Sequence, residues 1–304
     1  MKLTIFVAMT LLAVPVRAAD DNMDAKFQSL QEAVAKKQVP DIKKLSLELF
    51  PIVQDALCET APQAEDEKAA WKSRIDHAKS VGLYAEYALF VAAIESPAAT
   101  LIDLVDTLQT ANSKSQYLDR AWGPYLLALS QTGAAAKVQA VAEKALANFP
   151  ENEDLLLVLA DNAVTKKQPD RALNYSNRLV ASLAKRAKAP EGVPAAQWDR
   201  KRNAGLGRGY WISGVIYGER GNYANCDKNL RAALPLIQEN KPMLGPALFY
   251  LGMADYNLGK MTLDKAKILE AAKFSQQSAL IESPYTEQAR HNALVMKQEA
   301  DRMR

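Results

Sequence analysis

Side chains able to do chemistry are few in this chain, and their spacing is poor for it. His77 and His291 are the only histidines, and neither has a ligand at i+3 or i+4 to complete a usual metal motif. His77 follows Asp76 and reads as a helix-surface residue. Cys58 and Cys226 are the only cysteines; an oxidising compartment would permit a bridge, but two cysteines are not a disulfide framework. Free buried Cys behaves as a small hydrophobe, which is the role expected of Cys226. Gly205-Leu206-Gly207-Arg208-Gly209 comes nearest to a phosphate loop, since N–H groups at a helix start could hold an anion. No strand precedes it and no Gly-Lys-Ser/Thr follows, so a helix-start turn is expected there. Gly-x-Ser-x-Gly is absent, and no Cys has a plausible histidine base. Glu65, Asp66 and Glu67 cluster where a helix dipole would stabilise them at its N-terminus. The expectation is a protein that binds, with no catalytic residue, no metal and no cofactor.

The N-terminus points to export. Lys2 precedes an uncharged run from Leu3 to Pro15, and Val16-Arg17-Ala18 then offers small or slim residues before a cut ahead of Ala19. The run is short for a bilayer, which takes about 20 residues of helix, so a cleaved signal peptide over 1–18 is preferred to an uncleaved anchor. No cysteine near the cut supports a lipoprotein. Cleavage removes Lys2 and Arg17, leaving 36 of the 38 basic residues against 35 acidic ones. That near-neutral balance lacks the concentrated Lys and Arg of nucleic-acid binding. No later stretch is apolar for long enough to cross a membrane, so the mature chain is expected to be periplasmic or secreted.

The elements carrying these residues read as helices almost throughout. Strand alternation is missing, and Ala, Leu, Glu, Lys and Gln fill the segments between Gly, Pro and Asn breaks. The breaks predict helices at 24–37 and 40–57, one at 65–80, then pairs at 83–95 with 98–110 and 118–131 with 134–148. Further pairs follow at 153–166 with 169–183, 205–219 with 222–238, and 245–258 with 264–281, and a last helix covers 285–303. The pairs recur. Trp122, turn Gly133, Ala145 and Pro150 form one unit, and Leu156 follows Trp122 by 34 residues, with Ala172 on its second helix. Tyr210-x-x-Ser213-Gly214-x-x-Tyr217, Gly221, Tyr223, Cys226, Leu230 and Ala233 form the next. Leu248-x-x-Leu251-Gly252, Gly259, Ala272, Ala279 and Pro284 form the last.

This pattern resembles the tetratricopeptide repeat, in a divergent bacterial exported form. The resemblance implies an all-α fold, a right-handed superhelix (α-solenoid) of antiparallel helix pairs. Gly214 and Gly252 would let the helices of one hairpin approach closely. Ala145, Ala172, Ala233 and Ala279 would keep the second helix thin where the next repeat packs, and Pro150 and Pro284 would end helices. Residues 85–118 fit weakly, Lys167 stands where its neighbours have a turn glycine, and extra residues lie between Gly259 and Ala272. The division reads as signal peptide 1–18, N-terminal helical segment 19–82, repeats 83–284 and capping helix 285–304. An insertion at 184–203 carries Lys185, Arg186, Pro190, Gly192, Pro194, Trp198 and Arg200-Lys201-Arg202. It reads as a solvated excursion with Trp198 docked back, in preference to a basic loop for an anionic partner.

Stacked hairpins leave a concave side lined by first helices. At about 100° per residue, Arg208, Trp211, Val215 and Glu219 turn that way in the third repeat. The same rotation presents Phe249, Met253, Tyr256 and Asn257 in the fourth. The strip has the makeup of a binding hot spot, unless the final helix or the 184–203 loop covers it. The resemblance implies an exported scaffold for a protein or peptide partner. The alternative is a soluble solute-binding protein for glycans or other nutrients, which aromatic residues spaced for sugar rings would favour.

Overall fold

The computed structural model describes residues 15–190 and 192–303. Among them are thirteen α-helices and no strand. The chain divides into two units, residues 1–136 and 137–304. The first contains α1 (Pro15–Ala35), α2 (Val39–Leu57), α3 (Glu65–Ile94), α4 (Ala98–Ala111) and α5 (Gln116–Gln131). The division falls inside α6 (Ala135–Leu146), and the second unit continues with α7 (Glu153–Thr165), α8 (Pro169–Lys185), α9 (Ala195–Glu219) and α10 (Tyr223–Ile237). It ends with α11 (Lys241–Thr262), α12 (Lys265–Ser278) and α13 (Thr286–Arg302). Within each unit helices pack on their neighbours in the chain, in the α-solenoid manner: α7 on α8, α9 on α8 and α10, α11 on α10 and α12. The expected signal peptide lies mostly outside the described residues.

Local chemistry sets the helix ends. Asn152 caps α7 by accepting from the N–H groups of Asp154 and Leu155, and Asn222, Asn240 and Asp264 cap α10, α11 and α12 in the same way. Five helix pairs turn through one left-handed residue: Lys37, Gly133, Lys167, Gly221 and Leu263, with φ between 53° and 80°. In each case the next N–H reaches five residues back, as from Gln168 to the Ala163 carbonyl at 2.8 Å and from Asn222 to Tyr217 at 2.9 Å. This bond closes a Schellman cap, which suits glycine but admits lysine or leucine at a cost. The five turns give the true register of the repeats. Ile42, Ala172, Cys226 and Ile268 each lie five residues past their turn, and all are buried.

Several glycines expected to break helices lie inside them. Gly82 is buried in the unbroken helix α3, where an added Cβ would stand 3.0 Å from Val53 Cγ1 on α2. Gly205, Gly207 and Gly209 are interior to α9: a Cβ on Gly205 or Gly209 would meet α8, and one on Gly207 would meet α10. Gly259 also belongs to a helix, α11, with Ile268 Cγ1 at 2.8 Å from its virtual Cβ, so the turn falls at Leu263. Gly214 and Gly252 do face the second helix of their own hairpins, against Leu230 and Ser275. Ala145, Ala172 and Ala233 are buried as expected; Ala279 is half-buried at the end of α12, and Ser275 fills the corresponding slot.

The 184–203 segment is held to the scaffold. Its latter part is the start of α9, and Trp198 is only 3% exposed, donating from Nε1 to the Arg186 carbonyl at 3.1 Å. Lys185 pairs with Glu151, Arg186 with Glu153, and Lys201 with both Glu153 and Asp154. Burial works against the Lys201 charge, but Asp154 and Glu153 outweigh it and its pKa rises. Much of the basic character of this segment is therefore neutralised internally. Cys58 is exposed and Cys226 buried, and neither is bridged. Burial first, then Asp227 and Asp255, pushes the Cys226 thiol up to about 12, which leaves it an inert packing residue.

Candidate functional site

The second unit holds a cleft of about 490 Å³ walled by three successive helix pairs. Its floor is the apolar face of α9, where Ile212, Val215, Ile216 and Glu219 recur at helical spacing beside Trp211. Val164 and Lys167 at the end of α7, and Ala172 on α8, form one side, while Pro246 and Tyr285 close the other. Trp211 is fixed in place, donating from Nε1 to the Met243 carbonyl at 2.8 Å. Arg208 stacks over its ring at 4.7 Å and pairs with Asp161 at 2.7 Å, so the guanidinium is already neutralised. Glu219 receives one long hydrogen bond, 3.5 Å, from the Tyr250 hydroxyl. Burial, then the bond to Tyr285, raises the Tyr250 pKa, so it stays protonated.

The expected strip is thus brought together only in part. Trp211, Val215 and Glu219 line the cleft, with Arg208 over Trp211. Phe249 is buried and stacks on Tyr285 at 4.5 Å. Met253 and Tyr256 pack against the core formed with Met296 and Ala300 of α13; Asn292 approaches Met253 and Glu299 accepts from the Tyr256 hydroxyl. Asn257 bonds back to the Met253 carbonyl at 2.7 Å. Two causes combine, the packing of α13 and a slip of register. Taking Gly259 as the turn slips α11 by four residues, so Met253, not Phe249, corresponds to Trp211, and α13 packs where a further first helix would.

Of the lining residues only Trp211, Val215 and Glu219 were expected; Val164, Lys167, Pro169 and Ala172 are among those that were not. A signal for them exists in the sequence. Ala163-Val164-Thr165-Lys166-Lys167-Gln168-Pro169-Asp170 repeats Ala33-Val34-Ala35-Lys36-Lys37-Gln38-Val39-Pro40-Asp41 of the first unit, with one residue fewer. A smaller cleft of about 200 Å³ lies at that copy, lined by Val34, Lys37, Val39, Ile42, Ala88, Val91, Ala92 and Glu95. Ala88, Val91, Ala92 and Glu95 have the same spacing as Ile212, Val215, Ile216 and Glu219. The second cleft is therefore a wider copy of the first.

Among the described residues no group of three His, Cys, Asp or Glu side chains is placed to hold a metal ion, and no helix is long and apolar enough to cross a membrane. The chain matches no protein-family model, and no curated protein matches its sequence.

Proposed function

We propose that this chain is an exported, tetratricopeptide-type scaffold, with right-handed stacking, that binds a protein or peptide partner in the cleft over α9 and does no chemistry on it. The observation that carries this reading is the cleft itself: an apolar floor, a tryptophan held by a backbone bond, and a rim of Lys167, Glu219 and Tyr285. A concave apolar patch centred on a fixed aromatic and ringed by polar groups is the makeup of a peptide hot spot. The glycan-binding alternative is less well served, because the cleft presents one tryptophan and an aliphatic floor in place of a series of aromatic platforms.

The test uses Val215→Asn, a change at a half-buried floor position. A photo-crosslinking residue at 164 should give a discrete adduct with an envelope protein or peptide, and one at exposed Lys228 should not. Val215→Asn should abolish the adduct while helical circular dichroism and the melting curve stay near wild type. Adduct formation indifferent to Val215→Asn would remove the cleft from consideration.

A further inference from the structure

The two clefts place a lysine and a glutamate at matching points of their rims, and they differ in what those charges do. In the first unit Lys37 Nζ lies 2.8 Å from Glu95 Oε2, so the pair bridges the cleft. In the second unit Lys167 has the same left-handed backbone, φ 53°, as Lys37, and Glu219 the same place on its helix as Glu95. Yet the Lys167 ammonium has no partner among the described residues, and Glu219 has only its long contact to Tyr250. Neighbouring cations do not share this condition: Arg171, Arg208 and Arg220 are paired with Glu143, Asp161 and Asp170. Where Ile42 lines the first cleft the second has Ala172, and where Val39 lines the first the second has Pro169, each at the same distance past its left-handed lysine.

From this we infer that the wide cleft takes a peptide segment in which an apolar side chain is flanked by one acidic and one basic residue, the acid meeting Lys167 and the base meeting Glu219. The inference rests on the peptide-binding reading above and adds to it the charge pattern of the segment. The chemistry is an exchange of partners. The apolar group fills the space over Ile212 and Val215, and the flanking charges supply the two halves of the ion pair that the first unit makes for itself. A partner bearing two acids or two bases would leave one rim charge facing its own kind, which disfavours it.

The experiment titrates the full mature chain with dye-labelled, end-capped heptapeptides carrying a central Leu, Ile, Phe or Trp. They are flanked by Glu then Lys, Lys then Glu, two Glu, two Lys, or two Gln. One mixed-charge order should bind more tightly than the Gln peptide, each flank contributing about two- to five-fold, the size of an exposed ion pair. Lys167→Gln should erase the gain from the Glu flank alone, and Glu219→Gln that from the Lys flank alone. The double exchange Lys167→Glu with Glu219→Lys should prefer the opposite order. Equal binding of the Gln peptide, or preferences untouched by these variants, overturns the inference; if Val215→Asn still abolishes that binding, the broader peptide reading survives. Failure of every peptide to bind overturns both.

Discussion

The Lys37 cleft and the Lys167 cleft start from one local sequence and end in different states. Val34 and Val164 occupy the same position before the turn, and Lys37 and Lys167 adopt the same left-handed turn conformation. The next first helix supplies Glu95 in one case and Glu219 in the other. What separates them in bulk is one point: Ile42 stands where the wider cleft has Ala172, while Val39 and Pro169 hold the same place two residues past the turn. In the narrower first cleft the rim charges meet, Lys37 Nζ with Glu95 Oε2 at 2.8 Å, and the pair becomes part of the structure. The second has room for a guest. A repeat protein can thus make a binding site by removing packing from one copy of a motif that elsewhere holds the fold together, since each repeat contacts only its neighbours.

The largest effect expected from this comparison follows from exchanging the packing. Ile42 is 2% exposed, so Ile42→Ala should cost about 2–5 kcal/mol, read as a lower unfolding midpoint in denaturant. Ala172→Ile, the reverse change in the wide copy, adds volume at a wholly buried position beside the cleft. It should cost less than about 1–3 kcal/mol, the range for overpacking a filled core. Its main effect should be on binding, with the affinity for the best heptapeptide falling at least ten-fold. Equal destabilisation by the two changes would show that the second cleft is as tightly packed as the first.

A second contrast concerns buried charge. Asp255 of the second unit is wholly buried, with Arg231 at 2.6 Å and Lys267 at 3.0 Å, while among the described residues of the first unit the buried polar side chains are the serines Ser46 and Ser115. Burial raises the Asp255 pKa to about 6 against the pull of Lys267 and Arg231. A folded pKa above the unfolded value favours the folded state most below about pH 4, and that contribution is lost as pH rises through 6. The shift corresponds to about 3 kcal/mol between those limits. The unfolding free energy of wild type minus that of Asp255→Asn should therefore fall from pH 4 to pH 7. A difference that rises with pH would mean the two cations dominate and hold the carboxyl below its ordinary value.

These contrasts also show how far the residues could be read without coordinates. Helix starts at Asn152, Asn222 and Pro169 and turns at Gly133 and Gly221 were legible, because cap and turn chemistry is local. Gly82, Gly207 and Gly259 were not. A glycine can mark a left-handed turn or the absence of a Cβ where another helix passes, and only the neighbours decide which. Mistaking Gly259 for a turn shifted the fourth repeat by four residues, yet Met253 and Asn257 belong to the strip in either register, and it is the packing of α13 that takes Met253 out of the open groove. Leu263 conceals its turn for the converse reason, since nothing in a leucine signals positive φ, whereas the turns at Lys37 and Lys167 were located by the helix bounds around them. The duplicated Lys-Lys-Gln segment was visible in the letters, but its meaning depends on which helix packs across from it.

The smallest effect tests whether the turn lysines are kept for their side chains. A left-handed conformation costs an ordinary residue about 1–2 kcal/mol, and glycine escapes that cost while losing more chain entropy on folding. Lys167→Gly should therefore stabilise the protein by roughly 0.5–1 kcal/mol, the difference of these two effects. In the first unit Lys37→Gly gains the same but loses the pair with Glu95, which at this exposure is worth about 0.2–1 kcal/mol, so the net change should be near zero. Chemical denaturation of the two variants side by side reads the contrast. Binding completes it: Lys167→Gly should lose the preference for the acidic flank although it folds more stably, and Lys37→Gly should leave that preference intact. If Lys167→Gly destabilises as much as a lost ion pair, then Lys167 already has a partner in the folded chain. The two clefts would then be alike in kind and different only in size.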